Sequence, residues 1–236
     1  MCAFPQATGC LPGGFFVFPK VDAMRVVLFA NGALPEPERV RPVLRDGDVI
    51  LAADGGARHA LALGLQPHHL IGDCDSLTPA EVEALRLRGC LIEQHPRDKD
   101  ATDLELALAA ARRLGAREVL LLGVLGGRLD QELANLLLLA APAWADLHLS
   151  LTDGRQTAWI VRERLDLRGR PGDTVSVLAL SPQVEGLTYE GGLRWLLDDF
   201  CLPFGSTRGI SNEMTAAEAT IRLRRGVLLV IHMPAS

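Results

Sequence analysis

Residues 70–76 have the sequence Leu-Ile-Gly-Asp-Cys-Asp-Ser, an apolar run that ends at Gly72 and is followed by the carboxylates of Asp73 and Asp75. The apolar part predicts the end of a buried strand. Because side chains two apart in an extended segment point the same way, Asp73 and Asp75 would face one point at the strand's carboxyl end. Two such oxygen ligands suit Mg²⁺, and this edge of an open α/β sheet is where ligands bind. The alternative is a turn capped by Asp and Ser, which favour turns.

The composition is typical of a soluble globular protein. The 236-residue chain is 48% hydrophobic and 22% charged, and its 24 basic and 29 acidic side chains give a formal net charge of −5. A nucleic-acid binder would show a basic excess, so we do not expect one, whereas an anionic small ligand is not excluded. Five cysteines without CxxC spacing favour neither disulfides nor zinc and indicate a reducing, cytoplasmic setting. No apolar run reaches the roughly 18 residues that would cross a bilayer.

Strands alternate with helices from Met24 to about residue 152, which predicts a mostly parallel sheet with flanking helices. The predicted strands are 25–31, 48–53, 70–72, 90–93, 117–123 and 147–151. The predicted helices are 36–45, 57–64, 79–89, 103–114 and one that opens near 128 and runs to 141. Residues 1–23, rich in Pro, Gly and aromatic residues, are expected to form a loose N-terminal extension.

The pattern changes after about Asp153. Short alternating runs separated by turn residues follow, and no stretch has a helical period. The runs are 157–161, 173–180, 184–189, 219–223 and 227–232. They predict an all-β sandwich domain over residues 153–236, after an α/β domain over residues 24–152.

Four polar clusters follow successive strands of the first domain. They are Asp54-Gly55-Gly56, Asp73 with Asp75, residues 98–103 and residues 126–130. A single cluster of this kind is usually a turn, but the carboxyl ends of parallel strands converge on one crevice. The set therefore predicts a ligand site at this edge of the sheet.

The third cluster mixes charges of both signs. Asp100 could complete a metal site with Asp73 and Asp75, and Lys99 and Arg97 could meet phosphate oxygens. The alternative for this stretch is helix capping by its last two residues, a threonine and an aspartate.

The fourth cluster places Gly126, Gly127 and Arg128 just before a predicted helix. Bare amides at a helix start approach anions closely, and Arg128 adds a bidentate fork for phosphate. The sequence is neither a Walker A loop nor a GxGxxG dinucleotide motif. Carboxylates, a metal and anion donors together suggest phosphoryl-type transfer from a nucleotide.

Taken together, these motifs resemble the thiamine pyrophosphokinase family. The matching residues are Asp54-Gly55-Gly56, Ile71-Gly72-Asp73-Cys74-Asp75-Ser76, Lys99-Asp100-Ala101-Thr102-Asp103, Gly126-Gly127-Arg128-Leu129-Asp130-Gln131 and Gly209-Ile210-Ser211-Asn212-Glu213. Their order agrees with the family from about Met24 to the end of the chain. The resemblance implies a catalytic α/β domain, a β-sandwich that binds thiamine and dimerises, and a homodimer. It also implies transfer of pyrophosphate from ATP to the hydroxyl of thiamine, giving AMP and thiamine diphosphate.

The resemblance also implies roles for single residues. Asp73, Asp75 and Asp100 would hold Mg²⁺ and the triphosphate. The nucleotide and transfer site would be lined by Asp54, Gly55, Gly56, Lys99, Thr102, Asp103, Gly126, Gly127, Arg128, Asp130 and Gln131. Trp195 would hold thiamine together with Ser211 and Asn212 from the partner subunit, since a Trp face suits a cationic ring, although plain core packing is the alternative for Trp195. Many relatives have His in place of Gln131, and residues 1–23 have no counterpart.

Two other classes of function remain open from the sequence. One is another Mg²⁺-dependent nucleotide transferase or a phosphohydrolase on the same sheet edge. The other is a non-catalytic sensor of a nucleotide or thiamine. The products would distinguish them, because only the kinase releases AMP in a thiamine-dependent way.

Overall fold

The computed structural model describes residues 24–235, so the expected N-terminal extension lies outside the described residues. The first six strands are β1 (Arg25–Phe29), β2 (Val49–Ala53), β3 (His69–Gly72), β4 (Leu91–Gln94), β5 (Glu118–Leu122) and β6 (His148–Thr152). The helices are α1 (Ala57–Ala62), α2 (Pro79–Leu87), α3 (Asp103–Arg113) and α4 (Leu129–Ala140). Short 3₁₀ turns cover Pro37–Val43, Asp54–Gly56 and Pro142–Trp144.

The second half of the described chain adds eight strands. They are β7 (Thr157–Val161), β8 (Arg164–Arg168), β9 (Thr174–Ala179), β10 (Gln183–Tyr189), β11 (Phe200–Pro203), β12 (Asn212–Glu213), β13 (Glu218–Arg222) and β14 (Leu228–Met233). The sequence predicted five of them and missed β8, β11 and β12. The absence of helices from this half of the described chain agrees with the prediction.

Ten strands form one sheet in the order β12-β9-β14-β7-β6-β5-β1-β2-β3-β4. The six strands from β6 to β4 are parallel, as predicted. The chain runs from β1 outward to β4 and then crosses to β5 on the other side of β1. The carboxyl ends of β1, β2, β3 and β5 therefore border the crevice where an open α/β sheet binds its ligands.

The C-terminal half is a sandwich, which confirms the predicted fold class. The antiparallel sheet β11-β10-β13-β8 packs against the half of the large sheet that contains β7, β9 and β14. Trp159, Val177, Leu187, Ile221 and Val230 lie in the core between the two layers, and all are at most 5% exposed.

The two halves share one continuous sheet, because β7 pairs antiparallel with β6. Main-chain hydrogen bonds therefore cross the expected domain boundary at residues 152/153. That boundary remains a prediction.

The local sequence explains where two helices near the crevice begin, since each starts after a threonine cap. Thr78 caps α2 in a reciprocal capping box with Glu81, and Pro79 takes the first helical position. Thr102 caps α3 by accepting a hydrogen bond from the N–H of Glu105 at 3.2 Å. The cap fixes the first residue of α3, Asp103, at the crevice. No helix within residues 24–235 is long and apolar enough to cross a membrane.

Candidate active site

Three carboxylates meet at the carboxyl edge of β2 and β3. Asp54 directly follows β2, Asp73 directly follows β3, and Asp103 is the first residue of α3. One oxygen atom from each lies within 4.8 Å of the other two. Several hard oxygen donors around one point form the ligand set that Mg²⁺ prefers.

Gly72 allows this close approach. Its φ is +141°, and a Cβ atom at this position would lie 2.8 Å from Oδ1 of Asp103 and 3.3 Å from Cβ of Asp54. A side chain at this position would therefore fill the space between two of the three carboxylates. Asp54 itself has a φ of +47° and is only 6% exposed, so its backbone is held in a strained conformation at the end of β2.

The prediction for Asp75 was wrong in its geometry. Strand β3 ends at Gly72, and Cys74 has a φ of +61°, so the extended alternation does not continue. The N–H of Asp75 instead donates to Oδ1 of Asp73 at 3.1 Å. The segment after Gly72 is therefore a turn, which was the alternative to an extended strand end. The Asp75 carboxylate is outside the cluster and lies 3.4 Å from Arg97.

The structure does not bring Asp100 into the cluster either. Asp100 is an exposed residue of the loop before α3 and is not one of the three clustered carboxylates. Asp103 takes that place, because the Thr102 cap starts the helix there. The sequence contains a signal for the positions of Asp54 and Asp103, since one follows a strand and the other a capping residue, both in motifs that the sequence places at the nucleotide site.

Lys99 bridges two members of the cluster. Its Nζ lies 3.0 Å from Oδ2 of Asp73 and 3.0 Å from Oδ1 of Asp103. Burial raises the pKa of Asp103, and although the Lys99 ammonium opposes this effect, the pKa stays above its usual value. The pKa of Asp73 is lowered, mainly by the hydrogen bond from the N–H of Asp75 and further by Lys99.

One oxygen of the cluster lacks a hydrogen bond. Oδ1 of Asp103 is buried and, within residues 24–235, receives no hydrogen bond of acceptable geometry, even though Lys99 Nζ is 3.0 Å away. Buried carboxylate oxygens normally accept hydrogen bonds, so one that has only a poorly directed ion pair among three carboxylates fits a site that takes a cation.

The glycine loop lies beside the next strand of the crevice. Gly126 and Gly127, both exposed, join β5 to α4 with φ values of +79° and +136°. The loop rests on the end of β1 through a hydrogen bond from the N–H of Ala33 to the carbonyl of Leu125 at 2.9 Å. The N-cap residue Arg128 makes no side-chain cap on α4, and the N–H groups of Asp130 and Gln131 contact the Asp130 carboxylate, a negative charge at the helix start.

The charged residues next to this loop pair with each other. Nε and Nη2 of Arg128 donate to the Asp130 carboxylate at 3.1 and 2.5 Å, and both side chains are exposed. Gln131 is exposed as well. Gly55 and Gly56 are buried instead and pack against Asn31 and β1, respectively.

A cavity of about 590 Å³ opens in the sandwich half of the chain. Residues that line it include Tyr189, Arg194, Trp195, Ile210, Ser211 and Asn212. The side chain of Trp195 is 56% exposed, so it is not a core residue, and the guanidinium of Arg194 lies 5.1 Å from its ring centre.

Asn212 fixes the position of Trp195. Its Oδ1 accepts a hydrogen bond from the Trp195 N–H at 3.1 Å, and its Nδ2 donates to the Trp195 carbonyl at 2.8 Å. Asn212 is 7% exposed, whereas the neighbouring Ser211 is exposed with a φ of +59°. The structure thus brings all three predicted thiamine residues to one cavity, with Asn212 engaged in holding the backbone.

The carboxylate cluster and this cavity lie far apart in one chain. Seven interstrand steps separate β2 from β12 in the large sheet. At about 4.8 Å per step, the two sites are on the order of 30 Å apart.

Two family models match successive parts of the chain. The thiamin pyrophosphokinase catalytic domain matches residues 40–151, and the thiamin pyrophosphokinase vitamin B1 binding domain matches residues 162–228. The first range contains the carboxylate cluster and the glycine loop. The second contains the cavity.

Individual proteins agree with these matches. Thiamine pyrophosphokinase of Bacillus subtilis (strain 168) is 27% identical over 183 residues, which are 77% of this chain and 85% of that protein. A crystal structure of thiamine pyrophosphokinase from Bacillus subtilis superposes with a TM-score of 0.79 at 24% identity, covering 90% of this chain and 100% of that one. A thiamin pyrophosphokinase family protein from Enterococcus faecalis gives a TM-score of 0.75 at 28% identity, with coverage of 90% and 100%.

Both family models therefore match in the order of the two halves of the fold, and each covers one of the two sites that the structure forms. The relatives that align with most of this chain are named as thiamine pyrophosphokinases or as members of that family, and the two crystal structures share its architecture. The chain belongs to the thiamin pyrophosphokinase family.

Proposed function

We propose that the protein transfers a pyrophosphoryl group from ATP to the hydroxyl of thiamine, releasing AMP and thiamine diphosphate. The observation that carries this proposal is the cluster of Asp54, Asp73 and Asp103 at the crevice of the sheet. Phosphoryl-type transfer depends chiefly on positioning and on neutralising phosphate charge, and the crevice combines acidic ligands with donors to anions.

Asp54, Asp73 and Asp103 would hold Mg²⁺. This set replaces the one expected from the sequence, because Asp75 and Asp100 lie outside the cluster. When bound, the metal would neutralise charge on the phosphate oxygens and align the triphosphate of ATP for in-line attack. The close approach at Gly72 and the buried, unbonded Oδ1 of Asp103 support a cation at this point.

The glycine loop would hold the phosphates that are transferred and released. The N–H groups of Gly126 and Gly127 can donate to non-bridging oxygens. Arg128 would exchange its present partner, Asp130, for a phosphate, which its planar fork binds in the same bidentate way. Thr102 would not contact the nucleotide in this arrangement. Its hydroxyl caps α3 and thereby holds Asp103 in position.

Thiamine would bind in the cavity beside Trp195. The ring is exposed at the cavity wall, and its face attracts a cationic heteroaromatic ring such as thiazolium. Asn212 keeps the Trp195 backbone in place, and the exposed Ser211 offers a hydroxyl at the rim.

A homodimer would complete the active site. Because the cluster and the cavity are on the order of 30 Å apart within one chain, thiamine in one cavity cannot reach the cluster of its own chain. Helix α4, which starts at the glycine loop, exposes Leu129, Leu133 and Leu137 at spacings of four residues. Such an apolar stripe next to an incomplete site supports a second copy of the chain that covers it and contributes its cavity.

The proposed compartment is reducing, such as the cytoplasm. Among the described residues Cys74, Cys90 and Cys201 are free thiols. Unpaired cysteines are typical of proteins kept in such a setting.

The decisive experiment is incubation with ATP, Mg²⁺ and thiamine, followed by chromatography of the products. The proposal requires AMP and thiamine diphosphate in equal amounts, both dependent on thiamine. Phosphate released without thiamine would identify a phosphohydrolase, and binding of ATP or thiamine without turnover would identify a sensor.

A further inference from the structure

The Lys99 ammonium bridges two of the three carboxylates of the acidic cluster. It lies 3.0 Å from an oxygen of Asp73 and 3.0 Å from an oxygen of Asp103, and its side chain is only 14% exposed. Within residues 24–235 no other Lys or Arg side chain forms an ion pair with either carboxylate. Lys99 therefore offsets part of the repulsion between two neighbouring carboxylates.

This contact is poorly suited to a purely structural role. Oδ1 of Asp103 is buried without a hydrogen bond although the ammonium is close, so the ion pair is poorly aligned. Asp54 receives one long hydrogen bond, 3.4 Å from the N–H of Ser76. Oxygens of Asp54 and Asp103 thus remain under-coordinated with Lys99 in place, and a divalent cation would satisfy them better.

A divalent cation and the ammonium cannot share these oxygens. A cation bound to Asp73 and Asp103 would lie within a few ångströms of Lys99 Nζ, where two positive charges repel strongly. The lysine side chain is a flexible four-carbon stem with a compact charge, so it can change partners.

We propose that Lys99 is an exchangeable cation, which holds the carboxylates of the metal-free enzyme in place and moves to a phosphate oxygen of the nucleotide when a divalent cation binds. This inference rests on the proposed function. Lys99 then has two effects of opposite sign, since it competes with the metal alone and assists the metal–nucleotide complex. Binding of the metal is thereby coupled to binding of the nucleotide.

The test is titration of the full-length protein with Mn²⁺ in the absence of nucleotide. Binding is monitored by calorimetry or by the electron paramagnetic resonance signal of free Mn²⁺. Lys99→Met removes the charge with little change of volume, and we expect it to bind Mn²⁺ at least about tenfold more tightly than wild type. Arg97→Met is the matched control, because it removes a neighbouring but largely exposed charge. It should change the affinity less than about threefold.

A second arm measures a non-hydrolysable ATP analogue in the presence of saturating Mn²⁺. Here Lys99→Met should bind the analogue about tenfold more weakly than wild type, because the phosphate contact is lost. Lys99→Gln, which can still donate hydrogen bonds to the carboxylates, should behave like Lys99→Met in both arms. It replaces that variant if thermal melting shows that Lys99→Met does not fold.

Unchanged Mn²⁺ affinity in a folded Lys99 variant, or equal tightening in Arg97→Met, would overturn the exchange. The product assay on the wild-type protein separates this failure from that of the proposed function. If wild type forms AMP and thiamine diphosphate while Lys99→Met shows no tightening, only the exchange is wrong. If the tightening occurs without any product, the exchange stands and the kinase assignment is wrong.

Discussion

A Cβ atom on Gly72 would lie 2.8 Å from Oδ1 of Asp103, closer than non-bonded atoms approach. Gly72 also has a φ of +141°, which residues with a side chain rarely adopt. These two residues are 31 positions apart in sequence and meet at the carboxyl edge of the sheet, where the three carboxylates cluster. The absence of a side chain at one position therefore sets the place of a carboxylate at the other.

Gly72→Ala should reduce turnover at least about a hundredfold, because a displacement of about 1 Å in a catalytic group has an effect of this size. Backbone strain should also lower the free energy of unfolding by about 1–3 kcal/mol. Steady-state assays and urea unfolding measure the two effects. Gly64→Ala, whose Cβ would meet no atom within 4 Å although its φ is also positive, serves as the control for strain without the clash. Equal turnover in both variants would contradict the role of Gly72.

Asp73→Asn and Asp103→Asn should each lower kcat at least about a hundredfold with the fold retained, because each removes a charge that faces the phosphates. Asp100→Asn should lower it less than about threefold, since Asp100 is exposed and outside the cluster. The measurement is the rate of AMP formation at saturating substrates. A large loss in Asp100→Asn with normal rates in Asp103→Asn would restore the set of ligands expected from the sequence.

Trp195→Ala should raise the KM for thiamine about tenfold, and Trp195→Phe less, because a cation is attracted most strongly to the indole face. The KM for ATP should not change, since the cavity and the carboxylate cluster lie at different places in the fold. Phe204→Ala is the matched control, an exposed aromatic residue that does not line the cavity. A similar KM effect in Phe204→Ala would mean that Trp195 does not contact thiamine.

A mixed dimer of one Asp73→Asn chain and one Trp195→Ala chain tests whether the site is shared. Two affinity tags allow the mixed species to be purified after coexpression. At subsaturating thiamine, a shared site leaves one of the two centres intact, so the mixed dimer should keep about half of the wild-type rate. A rate equal to the mean of the two parent variants would place both halves of the site in the same chain.

Asp173 and His232 form a buried pair at 2.8 Å in the sandwich half of the chain. Burial by itself would raise the pKa of Asp173, but hydrogen bonds from the N–H groups of Ala235 and Arg170 and from His232 lower it overall. A carboxyl with a depressed pKa in the folded state contributes stability above its ordinary pKa of 3.8 and loses it as the pH falls through the folded value.

Asp173→Asn should therefore lower the free energy of unfolding at pH 7 by about 1–3 kcal/mol. The difference from wild type should shrink once the pH falls below the ordinary value of 3.8. Urea unfolding across this range measures it. Asp198→Asn, at an exposed site, should change the free energy by less than about 0.5 kcal/mol at every pH. A difference that stays constant with pH would show that the charge of Asp173 does not stabilise the fold.

The sequence by itself determined the layout of the fold. Alternating strands and helices up to Asp153 and short alternating runs after it predicted the α/β half and the sandwich, because hydrophobic period and turn residues are local properties. Strands β8, β11 and β12 were not predicted from the sequence. The last two are short or irregular, and β8 alternates Leu165 and Leu167 with charged residues, a signal that was present in the sequence.

Local sequence also identified the motifs that we propose carry the chemistry, since acidic and glycine-rich clusters follow the ends of strands in the parallel half of the sheet. Only the tertiary structure decided which carboxylates meet. The turn at Cys74 takes Asp75 away, and the helix cap at Thr102 selects Asp103 over Asp100. Backbone φ values and the start of a helix, rather than spacing along the chain, fix where each oxygen lies, and spacing alone does not encode them.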